Sequence, residues 1–224
     1  MIAVLWRWRP EPVPRGERRR LAAVIGEGFR FVAGSPQVRT ILLRAVTFTA
    51  TGSAAWALMP LVAADLLGQG SVTFGLLLGA LGLGAVLGAA TSTWFRRRFS
   101  SEAITRAAGI LYGLGCVGVA LRPGLLPMLA LLVASGAAWV QALSGFSVAG
   151  QMWSPRPLVG RVTAMVGSLT FGGLAMGSWL WGHFAQDHGV AMALLASGAG
   201  MVLLPLIGLV LPMPRHEAAD QSPK

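Results

Sequence analysis

Polar side chains recur at helical spacing inside otherwise apolar stretches of this sequence. They form two stripes with steps of three or four residues, which place side chains on one face of a helix: Arg44, Thr47 and Thr51, and Gln141, Ser144, Ser147 and Gln151. Polar groups at membrane depth usually face the bundle interior or a water-filled cavity. Both stripes are therefore candidate contacts for a solute that crosses a membrane. The alternatives are snorkelling for Arg44 and interhelical hydrogen bonds for the others.

Trp56 and Trp139 lie near the middle of apolar stretches. There an indole could stack on an apolar or aromatic ligand, or pack in the core. The sequence has no Walker-type glycine loop, no Cys/His cluster and no nucleophile–base pair. We therefore expect no enzyme activity, no cofactor and no metal site.

The elements that must carry these residues follow from the composition. The chain has 224 residues, of which 54% are hydrophobic and 12% charged, against about 45–50% and about 25% in soluble domains. The charges leave windows close to the roughly 20 residues that cross a bilayer as a helix. These windows predict an all-α membrane protein with six spans: about 41–64, 72–95, 105–122, 126–149, 162–184 and 189–211. The third span is marginal in length.

No Asp or Glu falls inside these predicted spans. A proton-coupled transporter needs a titratable group along its path. His183, at the end of the fifth span, is a candidate, although an interfacial histidine is the more common role. Any proton coupling would then depend on carboxylates outside this chain.

The net charge of +10 could indicate a nucleic-acid partner, but its distribution argues against one. In a six-span topology all but one of the 18 Lys and Arg residues fall on one side, including the cluster Arg96, Arg97 and Arg98, and Arg122 alone falls on the other. Basic residues accumulate in cytoplasmic loops. The charge therefore predicts cytoplasmic termini in a multi-pass membrane protein, with the lipid bilayer as its surroundings and no nucleic acid.

Six spans divide into three and three, and the second unit must then run opposite to the first. A pair of glycines four residues apart supports such a repeat in each unit: Gly84 and Gly88, and Gly173 and Gly177. Glycines at this spacing let helices approach closely. Inverted three-helix repeats of this kind build transporter halves.

Several segments resemble one branch of the major facilitator superfamily, the enterobactin-exporter-like transmembrane secretion effectors. They occur in the order and spacing of that family over about residues 1–212: Glu27–Val32 with Ser35-Pro36, Ala55–Ala63, Phe74–Gly82, Gly136–Trp139, Gly160-Arg161 and Gly177–Gly182. The resemblance implies helices seven to twelve of a twelve-helix transporter of the bacterial plasma membrane. The first and fourth spans then correspond to cavity-lining helices seven and ten.

The resemblance also implies a function, namely efflux of small molecules such as siderophores or drugs by alternating access. Two departures bear on it. Ser147 stands where the family usually has Asn. Trp94 and Phe95 precede the arginine cluster, where the superfamily signature has Asp.

The expected organisation is a stump, linker and short amphipathic segment over 1–40, a six-helix domain over 41–212 and a cytoplasmic tail over 213–224. Leu21–Val32 is compatible with either an amphipathic helix or a solvated linker. Trp6 to Pro10 resembles the exit from helix six, so we expect a missing N-terminal six-helix half as partner. A truncated non-transporting fragment, or a half-transporter that pairs with itself or a second subunit, are the alternatives.

Overall fold

A computed structural model describes residues 21–68 and 70–210, with side chains described for 26–65, 67–68 and 70–205. The predicted stump, most of the linker and the tail lie outside the described residues. The helices are α1 Leu21–Gly34, α2 Pro36–Ala57, α3 Ser71–Arg98, α4 Ser101–Ala120, α5 Leu125–Met152, α6 Val159–His188 and α7 Val190–Val210. A turn of α-helix at Met59–Leu61 and a π-helical turn at Val62–Leu66 extend α2, and a 3₁₀ turn at Arg156–Leu158 precedes α6. No strand occurs among the described residues.

Five segments of the described chain are long and apolar enough to cross a membrane. They are Pro36–Asp65, Ser71–Arg98, Ser101–Ala120, Leu125–Met152 and Arg156–His188. The described side chains of the last helix make a shorter apolar stretch, Val190–Pro205. A multi-pass helical membrane protein is therefore confirmed.

The helices that form the candidate spans extend beyond the charge-free windows. They include Asp65, Glu102 and Asp187, each close to a span end. The helix α4 begins at Ser101, four residues before the predicted boundary at 105. Ser100 caps α4, because its hydroxyl accepts a hydrogen bond from the Ala103 amide at 3.2 Å.

The helices pack in three principal pairs, α3 with α5, α2 with α6 and α4 with α7, while α5 also packs on α4. In the first two pairs the chains run parallel, since Gly84 and Gly88 meet Val133 and Ala137 in the same order. Gly173 and Gly177 of α6 likewise meet Val46 and Ala50 of α2 in the same order. In the pair α4 and α7, Gly109 lies near Met201 and Gly113 near Gly198, so these two run antiparallel.

The core is centred on the rings of Phe48, Tyr112, Trp139 and Phe146. Ring centroids lie 5.1 Å apart for Tyr112 and Trp139, and 5.8 Å apart for Phe48 and Phe146. The Tyr112 hydroxyl donates to the Gly52 carbonyl at 2.7 Å. Helices α2, α4 and α5 are thereby held together by one aromatic cluster.

Candidate functional site

A charge network in the described interior joins the first half of α2 to the start of α4. Arg44 is only 6% exposed, and its guanidinium makes two hydrogen bonds to the Glu102 carboxylate, one of them 3.1 Å from Nη2 to Oε1. Arg106 Nε donates to Glu102 Oε1 at 2.6 Å. Glu102 thus lies between two cations, and the Arg44 guanidinium is buried against it.

A narrow crevice adjoins this charge network. Thr47, Thr105, Phe48, Phe146 and Pro205 lie along it, together with the two arginines. Both threonine hydroxyls donate to carbonyls of their own helices, Thr47 to Leu43 at 2.9 Å and Thr105 to Ser101 at 2.8 Å. Their hydrogen-bonding capacity is therefore largely used within the protein.

Thr51, the third member of the α2 stripe, faces α7. Its carbonyl accepts a hydrogen bond from Ser197 Oγ at 2.6 Å, and its methyl group lies beside Gly200. The stripe predicted on α2 is therefore a single helical face, and the structure directs it toward α4 and α7.

The two mid-span tryptophans lie beside each other. Trp139 is 7% exposed within the aromatic cluster, and its ring centroid is 6.1 Å from that of Trp56. Trp56 is half-buried, and its Nε1 is a buried donor without a partner. Trp139 is thus part of the core, whereas Trp56 lies at its edge.

The stripe on α5 lies along the seam with α3. Gln141 is 7% exposed, and its Nε2 donates to the Gly88 carbonyl at 3.1 Å, while its Oε1 has no partner. One turn further, Ser144 Oγ accepts a hydrogen bond from Arg96 Nη2 at 2.7 Å. The first arginine of the cluster is therefore turned into the seam.

The remaining members of both groups are more accessible. Ser147 is half-buried and accepts a hydrogen bond from the exposed Gln151 at 3.3 Å. Arg97 and Arg98 are exposed, and the Arg98 guanidinium lies 5.5 Å from the centroid of the Trp94 ring. These arginines mark one end of the bundle, which we call the basic end.

Both predicted glycine pairs lie where two helix backbones meet. A Cβ on Gly88 would be 2.7 Å from the Ala137 carbonyl oxygen, and one on Gly84 would collide with the Val133 carbonyl. On α6, a Cβ on Gly173 would lie 2.9 Å from the Val46 carbonyl oxygen, and one on Gly177 would collide with the Ala50 carbonyl. At each of these positions a side chain would force the helices apart.

Sequence reasoning missed two carboxylates with structural partners. Glu102 falls outside the predicted third span because charged residues mark the predicted span boundaries. Its spacing of four residues from Arg106 is nevertheless a helical ion-pair signal. Glu27 of α1 binds Arg161 of α6, with 2.6 Å between Oε2 and Nη1. Glu27 and Arg161 belong to segments that carry the family resemblance, and the structure brings those two segments together.

His183 is exposed, and its ring lies 4.8 Å from the Trp179 ring. Within the described part of the chain, no group of three His, Cys, Asp or Glu side chains could hold a metal ion. The described side chains therefore provide ion pairs, hydroxyl groups and aromatic surfaces, which can bind a ligand or hold helices together.

Apolar helices with a buried ion pair and close glycine seams are typical of a polytopic helical membrane protein. The family model for transmembrane secretion effectors matches residues 1–224. The chain belongs to that family of major facilitator transporters. It is also 30% identical over 199 residues to the multidrug efflux pump Tap of Mycolicibacterium fortuitum, an alignment that covers 88% of this chain and 47% of the pump. The chain spans about half the length of this curated relative.

Proposed function

We propose that this chain is the C-terminal six-helix half of an efflux transporter that exports small molecules by alternating access. The observation that carries the proposal is the paired glycine seams within a chain of this transporter family. The name of the relative, a multidrug efflux pump, favours drug-like substrates. In alternating access two units rock around a substrate site near the bilayer midplane.

The seams support an inverted three-plus-three repeat. Gly84 and Gly88 of the first unit contact Val133 and Ala137 of the second. The same pattern occurs with the two units exchanged. Val46 and Ala50 of the first unit, which match Val133 and Ala137 in type and spacing, contact Gly173 and Gly177 of the second. Exchanging α2 with α5, α3 with α6 and α4 with α7 reproduces the three principal helix pairs. This symmetry supports six spans, with α7 as the sixth.

The distribution of charge supports cytoplasmic termini. Arg96, Arg97 and Arg98 end α3, and Arg44 and Arg106 lie in the adjoining turns of α2 and α4. At the opposite end, Arg122 follows α4. Because basic residues favour the cytoplasmic face, we place the basic end there.

Contacts with neighbouring helices divide the candidate residues into two groups. Arg44, Thr47, Thr51, Trp56, Trp139 and Gln141 bond or pack within the bundle. We assign these six to holding the helices together. On α5, Ser147 and Gln151 are more accessible, and the half-buried Ser144, one turn before Ser147, bonds Arg96 of α3. We assign these three, with Arg96, to the surface that meets substrate.

A second unit is supported by the surfaces of α3 and α6. Large apolar side chains are exposed on both helices, among them Val86, Phe171 and Trp179. The symmetry above relates α3 to α6, so the two surfaces are equivalent parts of the proposed repeat. A second six-helix unit would cover part of this area, and lipid the rest.

The test is efflux of a fluorescent dye such as ethidium from bacterial cells that lack their own drug pumps. The chain is expressed alone and together with a six-helix unit encoded at the same locus. We expect dye efflux only when both are present. A control chain with Gly177→Leu, which blocks the seam with Ala50, should remain inactive beside the same partner.

Each other result contradicts a defined part of the proposal. Efflux by the chain alone would overturn the need for a second unit and favour a self-sufficient oligomer. If both units reach the membrane and no drug-like dye or siderophore is exported, the chain is a non-transporting fragment.

A further inference from the structure

A cavity of about 420 Å³ lies between α3 and α4. These consecutive helices touch little, because each packs mainly on another helix, α3 on α5 and α4 on α5 and α7. The space between them, which we call the α3–α4 groove, is lined by residues that include Phe95, Phe99, Ala107, Leu111 and Ala137. The groove is almost wholly apolar.

The polar side chains that line the groove donate their hydrogen bonds within the protein. Thr91 Oγ1 donates to the Leu87 carbonyl at 2.8 Å, and Gln141 Nε2 to the Gly88 carbonyl at 3.1 Å. The Gln141 Oε1 atom has no partner, but it is buried from solvent. One buried acceptor is little for a polar solute to bind, so the groove suits a hydrocarbon chain.

The entrance at the basic end has the opposite character. Phe95 and Phe99, which line the groove, flank Arg96, Arg97 and Arg98 in the sequence. Trp94 packs on both phenylalanines, with ring centroids 4.9 and 6.4 Å away, and Arg98 lies over Trp94. This aromatic cluster therefore places a cation beside the entrance.

The two exposed arginines are free to meet a ligand. Among the described residues no carboxylate forms an ion pair with Arg97 or Arg98. Arginine matches phosphate with its planar fork of donors, and tryptophan is common at the headgroup level of membranes. Two unpaired guanidinium groups above an apolar groove thus complement an anionic headgroup with an acyl chain.

We propose that the α3–α4 groove binds one anionic phospholipid of the leaflet at the basic end. One acyl chain enters the groove, and the headgroup phosphate binds Arg97 and Arg98. This site lies within the six-helix bundle and does not depend on the proposed substrate surface of α5.

The test is photolabelling of the full chain in phosphatidylcholine vesicles. The vesicles contain a small fraction of a probe lipid with a diazirine on its acyl chain. The probe is phosphatidylglycerol or, as the comparator, phosphatidylcholine with the same chain. Mass spectrometry locates the labelled residues. We expect the phosphatidylglycerol probe to label Thr91–Phe99 and Ala103–Leu111 more strongly than the phosphatidylcholine probe does. The double variant R97Q/R98Q should lose that preference, by about fivefold for each arginine removed.

Two matched control variants and one variant that fills the groove keep the result interpretable. Arg122→Gln removes an exposed arginine at the other end and should leave the preference unchanged. Ala107→Phe fills the groove and should abolish labelling there, whereas Ala130→Phe, on an exposed position of α5, should not. Circular dichroism and thermal unfolding would verify that each variant is folded.

Equal labelling by the two lipids, or an unchanged preference in R97Q/R98Q, would overturn the proposal. Displacement of the label by ethidium at concentrations that do not perturb the vesicles would also overturn it. In that case the groove binds efflux substrates and not lipid.

Discussion

Arg44 of α2 and Glu102 of α4 form a two-pronged ion pair in which the side chains are 7% and 14% exposed. The pair joins helices 58 residues apart in sequence. Removing one member of a buried pair leaves the other charge without compensation, which typically costs about 3–5 kcal/mol. Replacing both with apolar residues of similar size is often neutral.

The first prediction concerns this pair. Glu102→Gln leaves Arg44 and Arg106 beside a neutral amide, so it should lower the thermal midpoint of the purified chain in detergent by several degrees. Arg44→Met with Glu102→Leu should recover part of the loss, since Arg106 is half-buried and can reach water. Arg122→Gln is the control for loss of an exposed cation. An unchanged midpoint in Glu102→Gln would show that the pair does not stabilise the fold.

The second prediction compares adjacent glycines on α6. A Cβ on Gly173 would lie 2.9 Å from the Val46 carbonyl oxygen, whereas one on Gly172 has no neighbour within 4 Å. Gly173→Ala should destabilise the chain by about 1–3 kcal/mol, the usual effect of overpacking. Gly172→Ala should be neutral or stabilising by up to about 1 kcal/mol, because alanine favours the helix. Thermal unfolding of the two variants measures the difference.

The same comparison is available on α3. Gly84, which the repeat relates to Gly173, lies against Val133, and Gly82 has open space around it. If the repeat is real, Gly84→Ala should destabilise the chain as Gly173→Ala does, while Gly82→Ala should match Gly172→Ala. Equal effects in all four variants would argue against close packing at either seam.

The spacing of the glycines predicts the two pairs. Composition alone does not show which of the adjacent Gly172 and Gly173 contacts another helix. The spacing of four residues was informative because successive turns of a helix face the same neighbour. The neighbour itself, Val46 or Val133, depends on how helices distant in sequence pack. Helix–helix pairing is decided by the whole bundle and leaves only a weak local signal.

The predicted span ends differed from the helix ends for an electrostatic reason. Marking charges placed the third boundary after Glu102 and near Arg106, whereas α4 starts at Ser101. These two residues remain in the helix because Glu102 is compensated by Arg44 and Arg106, and Arg106 is compensated by Glu102. A one-dimensional count of charges cannot recognise a charge that is paired across helices.

The third prediction concerns Gln141, whose Nε2 bonds to the Gly88 carbonyl while its Oε1 is buried without a partner. Gln141→Leu loses one hydrogen bond, worth about 1 kcal/mol, and also removes an unpaired acceptor that costs about 1–3 kcal/mol. We therefore expect stability to stay the same or rise. Thermal unfolding beside Gln151→Leu, an exposed control on the same helix, tests this. A clear loss confined to Gln141→Leu would show that the amide stabilises the seam.

The last prediction concerns Glu27 and Arg161, which join α1 to α6 with 2.6 Å between Oε2 and Nη1. The side chains are 39% and 28% exposed, and ion pairs this accessible contribute about 0.2–1 kcal/mol. Glu27→Gln should therefore increase amide hydrogen exchange in α1 by up to about fivefold, and Arg161→Gln should do the same. The double variant should show less than the two single effects combined, because both single variants break the Glu27–Arg161 pair. High salt should raise the wild-type rate toward that of the variants, since it screens exposed charges. Arg30→Gln, at an exposed position of α1, is the control, and an equal increase there would show that the effect does not come from the pair.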